Sequence, residues 1–261
     1  KKVNLDPSLK SILEAQTKAV TIFGKTWDLH IKDVLKISLE ENLKIIADTV
    51  FYLVSKGKTV IYDCEHFFDG YKSNPEYALK TVLAAQDAGA ARIVFCDTNG
   101  GTVTSELIRI IHQVAPKLKA ALGIHAHNDL GLAVANSILA VENGLTHIQG
   151  TFNGYGERCG NADLSTIIGI LKTKLNLDCI PDKNLKELTK ASHFISEISN
   201  LRQQPNQPFV GASAFAHKGG VHIDAMLKNP KTYEHIDPDL VGNHRRLLAS
   251  ELSGKMPIVL K

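Results

Sequence analysis

At 261 residues the chain has room for one α/β-barrel-sized domain, or for a domain of about 175 residues followed by a smaller one. Its residues are 44% hydrophobic and 22% charged, and 30 basic and 27 acidic side chains scattered along the chain leave a net charge of +3, which gives no basic run for nucleic acid to follow. No apolar stretch approaches the roughly 18 residues that cross a bilayer, and Cys64, Cys96, Cys159 and Cys179 form no C-x-x-C pair, so no membrane, zinc-knuckle or dense disulfide architecture is expected and a cytoplasmic setting fits.

Before residue 19, Leu5, Leu9, Ile12 and Leu13 recur at helical spacing. A strand is expected over 19–23, then a helix over 38–55 with Ser38 as its N-cap, Glu40 and Glu41 in its first turn and Gly57 at its end. A strand over 59–63 precedes a helix over 75–88, opened by Pro75 and closed by Gly89. The alternation continues with a strand over 92–96, a helix over 104–114, a strand over 121–126, a helix over 131–143 and a strand over 146–151. A helix over 162–174 follows, with Asn161 as its expected cap. Beyond 174 the texture changes: 182–199 reads as helix, 203–208 as a polar link, and 209–228 is rich in Ala, Gly and His. Residues 229–238 read as irregular, with a short helix after Asp237. The expected division is 1–178 for the C-terminal part of a barrel and 179–261 for a linker and helical subdomain.

Five mostly apolar strands, each followed by a helix, point to a parallel sheet covered by helices. Chemically capable residues gather after every strand: Lys25 and Asp28, Asp63 and Glu65, Asp97 to Asn99, His125 to Asp129, and Asn153 to Asn161. A doubly wound sheet concentrates function at one switch point, whereas a (β/α)8 TIM barrel uses every strand end. The expected fold class is therefore α/β, a TIM barrel represented by about five βα units, with a helical C-terminal subdomain.

Within Gly123-Ile124-His125-Ala126-His127-Asn128-Asp129 the two histidines alternate along a strand, so their side chains share a face with Cα atoms about 7 Å apart. That spacing suits one divalent ion such as Mn2+, Mg2+ or Zn2+ holding a chelating oxo acid, with Asn128 and Asp129 available to orient the rings; a pair of polar loop histidines is the competing reading. Asn153-Gly154-Tyr155-Gly156-Glu157-Arg158-Cys159-Gly160-Asn161 packs three glycines ahead of a helix, where an anion can be received. There Asn161 is expected at a site and Glu157–Arg158 as a structural ion pair. Asp97-Thr98-Asn99-Gly100-Gly101 combines a turn signal with a hydroxyl able to meet a substrate carboxylate. Glu65 is a candidate proton-transfer carboxylate. In the tail, His217 and His222 flank Gly219-Gly220; either is an acid/base candidate or a structural histidine.

The run His125-Ala126-His127-Asn128-Asp129-Leu130-Gly131-Leu132-Ala133-Val134-Ala135-Asn136-Ser137 resembles a signature of the 2-isopropylmalate, homocitrate and citramalate synthase family, within the DRE-TIM metallolyases. The likeness extends from about residue 6 to 255. The segments Thr21-Ile22-Phe23-Gly24-Lys25-Thr26-Trp27-Asp28, Tyr62-Asp63-Cys64-Glu65-His66-Phe67-Phe68-Asp69-Gly70 and Tyr233-Glu234-His235-Ile236-Asp237-Pro238 are most similar to the citramalate branch. The resemblance implies a metal-dependent Claisen-type condensation of acetyl-CoA with a 2-oxo acid, pyruvate in that branch, serving isoleucine synthesis. By the same likeness His125 and His127 match the metal ligands and Asn161 an asparagine in or beside the metal shell. Thr98 matches a contact to the oxo acid, Glu65 an active-site glutamate, and His222 a base of the appended subdomain. Asn153 falls in the substrate-binding loop, and a homodimer is implied.

The family's first strand, with an arginine and a third, aspartate ligand, has no counterpart in the chain, nor does its C-terminal regulatory domain. The start at Lys1 rather than Met points to an internal piece of a longer product. Two alternatives stand beside the citramalate reading: a 2-isopropylmalate or homocitrate synthase, and a non-catalytic fragment that completes a barrel or binds a partner.

Overall fold

The structure, a computed structural model, describes residues 3–248. Among the described residues, contacts part the chain into two compact units, 3–150 with 156–162, and 151–155 with 163–248. The contacts divide the chain after residue 150 and again between 162 and 163, and residues 249–261 of the expected second domain (179–261) lie outside the described residues.

In the first unit, helix α1 (Pro7–Glu14) carries Leu9, Ile12 and Leu13, while Leu5 lies in the short turn Val3–Leu5 before it and is exposed. Strand β1 (Ala19–Lys25) leads through a short π-helical turn at His30–Leu35 to α2 (Leu39–Ser55), whose Glu41 N–H donates to the Ser38 hydroxyl at 3.0 Å. Strand β2 (Thr59–Glu65) is followed at once by α3 (Phe67–Ser73), a helix the sequence pattern hides because Gly70 interrupts it and Asn74-Pro75 opens the next one. Then come α4 (Pro75–Asp87), β3 (Arg92–Asp97), α5 (Thr104–Val114), β4 (Ala121–Ala126), α6 (Ala133–Glu142) and β5 (His147–Gln149). The last strand is shorter than the expected 146–151.

All five strands are parallel and lie in sequence order, β1-β2-β3-β4-β5. Side chains alternate between two faces. Val60, Tyr62, Cys64, Ile93, Phe95 and Ile124 on one face are essentially inaccessible and form the core with the helices, each large side chain contributing about 1.5–3 kcal/mol by leaving water. On the other face the register sets Lys25 beside Glu65 and Cys96 beside His125, which in turn lies beside Gln149. That face is concave. In a flat sheet β2 and β5, with two strands between them, lie about 14 Å apart, yet Gln149 Nε2 donates to Asp63 Oδ1 at 2.7 Å. The five strands are thus an arc of a (β/α) barrel, with the expected TIM-type order and curvature.

In the second unit α7 (Leu164–Thr173) is capped by Asp163, which accepts from Ser165 N–H, so the helix starts later than the expected 162 and Asn161 is not its cap. The helix expected over 182–199 is two, α8 (Asp182–Leu185) and α9 (Leu188–Ile198), parted where Glu187 N–H tightens onto the Asn184 carbonyl at 3.0 Å. Helix α10 (Gly220–Lys228) lies in the Ala-, Gly- and His-rich stretch, where two opening glycines mask its periodicity. Strands β6 (Ala216–His217) and β7 (Arg246–Leu247) make a small parallel ribbon, and a short 3₁₀ turn, Pro238–Val241, sits where a helix after Asp237 was expected. Leu185, Leu188, Phe209, Val210, Phe215 and Val241 form the core. Buried Glu234 accepts from His217 Nε2 at 3.0 Å and from Arg245 Nε at 2.6 Å, and the guanidinium holds its carboxyl below the usual glutamate range.

Candidate active site

His125 ends β4 on the concave face and His127 follows two residues later, their ring centroids 5.3 Å apart. Glycine at 123 is required one layer below: a Cβ there meets His147 Cβ and the His147 carbonyl oxygen at 2.9 Å, so only glycine lets β5 lie this close. His125 Nδ1 is 2.9 Å from Gln149 Oε1, and Gln149 in turn donates to Asp63. Burial pushes the Asp63 carboxyl up from its ordinary value, with the Gln149 hydrogen bond opposing the rise. His127 is held through its backbone: its N–H donates to the Asp97 carbonyl at 3.2 Å and it forms a β-bridge with Asn161. Its Nδ1 is buried with no hydrogen-bond partner among the described residues. Burial, and after it the neighbouring His125 and Arg158, hold the His127 imidazole below its ordinary pKa.

The orientation expected from Asn128 and Asp129 goes elsewhere. Asn128 Oδ1 accepts from Ala133 N–H at 3.2 Å, at the start of α6. Asp129 takes the Arg158 guanidinium in a two-pronged pair, Nε to Oδ1 at 2.8 Å and Nη2 to Oδ2 at 2.9 Å. Arg158 also donates to the Thr98 carbonyl at 2.8 Å. The expected Glu157–Arg158 pair is a marginal 4.0 Å contact with Glu157 largely exposed, because the fork geometry of guanidinium and carboxylate favours Asp129. Arg158 thus ties together the loops after β3, β4 and β5. Gly100, at φ +61°, completes this corner; a Cβ there meets Asp129 Oδ2 at 2.5 Å.

Thr98 follows β3, and its hydroxyl oxygen accepts the His66 N–H at 2.8 Å. The oxygen is fixed while its own proton remains to be donated. Below it, buried Asp97 accepts from the Thr102 hydroxyl at 2.9 Å and from Thr102 N–H at 3.3 Å, pinning the turn. Glu65 ends β2 in an ion pair with Lys25 at the end of β1. His66 has a left-handed backbone (φ 59°), and its ring lies 4.2 Å from that of His30; burial holds both imidazoles below their ordinary pKa.

His125, His127, Asn161, Thr98 and Glu65 belong to the first unit, at the C-terminal ends of its strands. Asn153 and His222 belong to the second. Asn153 Nδ2 donates to the Ser192 carbonyl at 2.9 Å, and its Oδ1 accepts from the Ser192 hydroxyl at 2.5 Å and from Gln207 Nε2 at 3.2 Å. Its side chain is committed to that unit's own framework. His222 stacks on Tyr233 with centroids 4.2 Å apart.

As a metal centre the first unit offers two imidazoles and asparagine. Among the described residues no three His, Cys, Asp or Glu side chains converge on one point. The donors nonetheless fit a divalent ion: two neighbouring rings share one face, one has a hydrogen-bonded Nδ1 and the other a buried nitrogen without a partner. Gln149 and the Arg158–Asp129 tie went unsingled in the sequence, and Asp63 was marked only as a strand-end residue, because each contact joins residues 24 to 86 positions apart. The strand register, which places Gln149 beside His125, is the signal that finds the first.

Residues 6–195 match the HMGL-like family model, and 209–261 match the homocitrate synthase post-HMGL domain-like model. The chain is 54% identical over 256 residues to the (R)-citramalate synthase of Geobacter sulfurreducens, covering 98% of this chain and 48% of that protein. It is 36% identical over 249 residues to homocitrate synthase AksA of Methanopyrus kandleri, covering 95% and 62%. The chain spans about half the length of the curated (R)-citramalate synthases it matches. Among solved structures, the HMG-CoA lyase of Bacillus subtilis superposes with a TM-score of 0.64 at 20% identity over 74% of this chain and 67% of that one, a likeness of fold. No helix among the described residues is long and apolar enough to cross a membrane. With strand order, curvature and a family match over more than two thirds of its length all in agreement, the chain belongs to the HMGL-like family.

Proposed function

We propose that the chain is part of an (R)-citramalate synthase that condenses acetyl-CoA with pyruvate. The observation that carries this reading is the paired His125 and His127 at the barrel mouth, within a sequence 54% identical to a citramalate synthase against 36% for a homocitrate synthase. His125 and His127 are the residues that would hold a divalent ion, with Asn161 beside them. Such an ion, when bound, supplies Lewis-acid polarisation of a ketone.

The chain's own side chains do the rest. Thr98, its oxygen fixed by His66 N–H, donates its proton to the oxo-acid carboxylate. Glu65 sits at the end of β2 as the carboxylate for proton transfer, kept at the barrel mouth by Lys25. His222 is the base for the acetyl methyl on the strength of the family resemblance; the carbanion so formed adds to the keto carbon, and water then cleaves the thioester. Arg158 holds the three loops that carry Thr98 and the histidines. A homodimer remains part of the same proposal.

The test is product identification with the intact protein. Acetyl-CoA offered with pyruvate, 2-oxoisovalerate or 2-oxoglutarate is expected to release CoA fastest with pyruvate and to give citramalate. Preferential formation of isopropylmalate or homocitrate would reassign the branch, and no CoA release with any oxo acid would favour a non-catalytic role.

A further inference from the structure

We propose that Gln149, steered by Asp63, is a positioning residue that fixes His125 as its Nδ1–H tautomer and so presents the Nε2 lone pair to a divalent cation. This rests on the metal-binding reading of His125 and His127. A carboxylate only accepts hydrogen bonds. The Gln149 amide must therefore turn its NH2 toward Asp63, where Nε2 lies 2.7 Å from Oδ1. That orientation leaves Gln149 Oε1 facing His125 Nδ1 at 2.9 Å. An amide oxygen also only accepts, so Nδ1 must carry the proton, which in the neutral form of the ring leaves the lone pair on Nε2. Flipping the amide would set two acceptors against each other at the carboxylate and leave the NH2 facing a ring nitrogen.

The relay is built from three strands, Asp63 on β2, His125 on β4 and Gln149 on β5, so the barrel's curvature is what brings it together. It also makes the two histidines unequal. His125 is oriented before any ligand arrives, whereas His127 Nδ1 has no partner among the described residues. Outer partners of this kind set ring orientation and ligand basicity, and their loss typically weakens metal affinity about 10- to 100-fold.

Long-range 1H–15N correlation spectra of the imidazoles in the intact, metal-free protein test the first half. Wild type should show His125 as the Nδ1–H tautomer, and Gln149→Leu should shift it toward Nε2–H. Calorimetric titration with Mn2+ and Zn2+ tests the second half, with an expected loss of affinity of about 10- to 100-fold in Gln149→Leu. The double variant Asp63→Asn with Gln149→Glu restores the pattern with roles exchanged: the new amide on β2 donates, and the new carboxylate on β5 accepts both from it and from Nδ1–H. It should recover both the tautomer and the affinity, which a purely structural role for Gln149 does not require. An unchanged tautomer and affinity in Gln149→Leu, or no recovery in a folded double variant, overturns the proposal. If the tautomer shifts as expected but the wild-type protein binds neither ion, the metal-binding reading and the cation half of this inference both fall, while the orienting of His125 by Gln149 stands.

Discussion

Thr98 illustrates how one side chain can be both structural and chemical. Its oxygen is spent on His66 N–H while its proton stays available. Thr98→Val removes the acceptor for His66 N–H and the proposed donor to the oxo-acid carboxylate; a hydrogen bond to a charged group is worth about 1.5–3 kcal/mol, so under that proposal the KM for the oxo acid is expected to rise roughly 10- to 100-fold. Thr98→Ser should stay close to wild type, and steady-state kinetics at varied pyruvate check both. At this scale the sequence was readable where a motif is local. His125-x-His127 and Thr98 each sit in a short run whose chemistry is visible at once. Gln149 and Arg158 do not: Gln149 is a polar residue at a strand end until the register places it beside His125, and Arg158 finds Asp129 only because three loops meet.

The elements were legible where caps and apolar runs agree. Ser38 caps α2, Pro75 opens α4, and β4 spans the residues its apolar run marks. The sequence misled where two capping residues compete. Asn161 and Asp163 both precede α7, but Asn161 is drawn into the bridge with His127, which leaves Asp163 to meet the helix N-terminus. Asp163 Oδ1 accepts from Ser165 N–H at 3.0 Å and from the Ser165 hydroxyl at 2.5 Å, and its Oδ2 accepts from the Thr166 hydroxyl at 2.5 Å. Asp163→Ala is accordingly expected to cost about 1–2 kcal/mol in chemical denaturation, whereas Asn161→Ala should leave α7 intact. Helices α3 and α10 escaped because Gly70 and Gly219-Gly220 lower the helical signal that packing then overrides.

For the whole molecule, histidines that are wholly or partly buried set a pH dependence. His30, His66 and His147 have folded pKa values below the ordinary 6.5, chiefly because burial disfavours their charged forms. Below pH 6.5 the unfolded chain then binds more protons than the folded one, so stability falls as the pH drops from 6.5 through the folded values. Asp63 and Asp97, raised by burial, act in the opposite direction as they protonate above 3.8. Calorimetric Tm values are expected to fall between about pH 7.5 and 5.5, and His66→Asn, which suits the left-handed backbone at that position, should flatten the fall. The parallel arc that helps to shield His66 and His147 also carries His125 and His127 to its mouth. Citramalate formation by the intact protein after chelator treatment tests that centre most directly. Activity should disappear on chelation and return when Mn2+, Mg2+ or Zn2+ is restored, but should not return in His127→Ala; full activity in the chelated protein or in that variant would contradict a metal centre at these histidines.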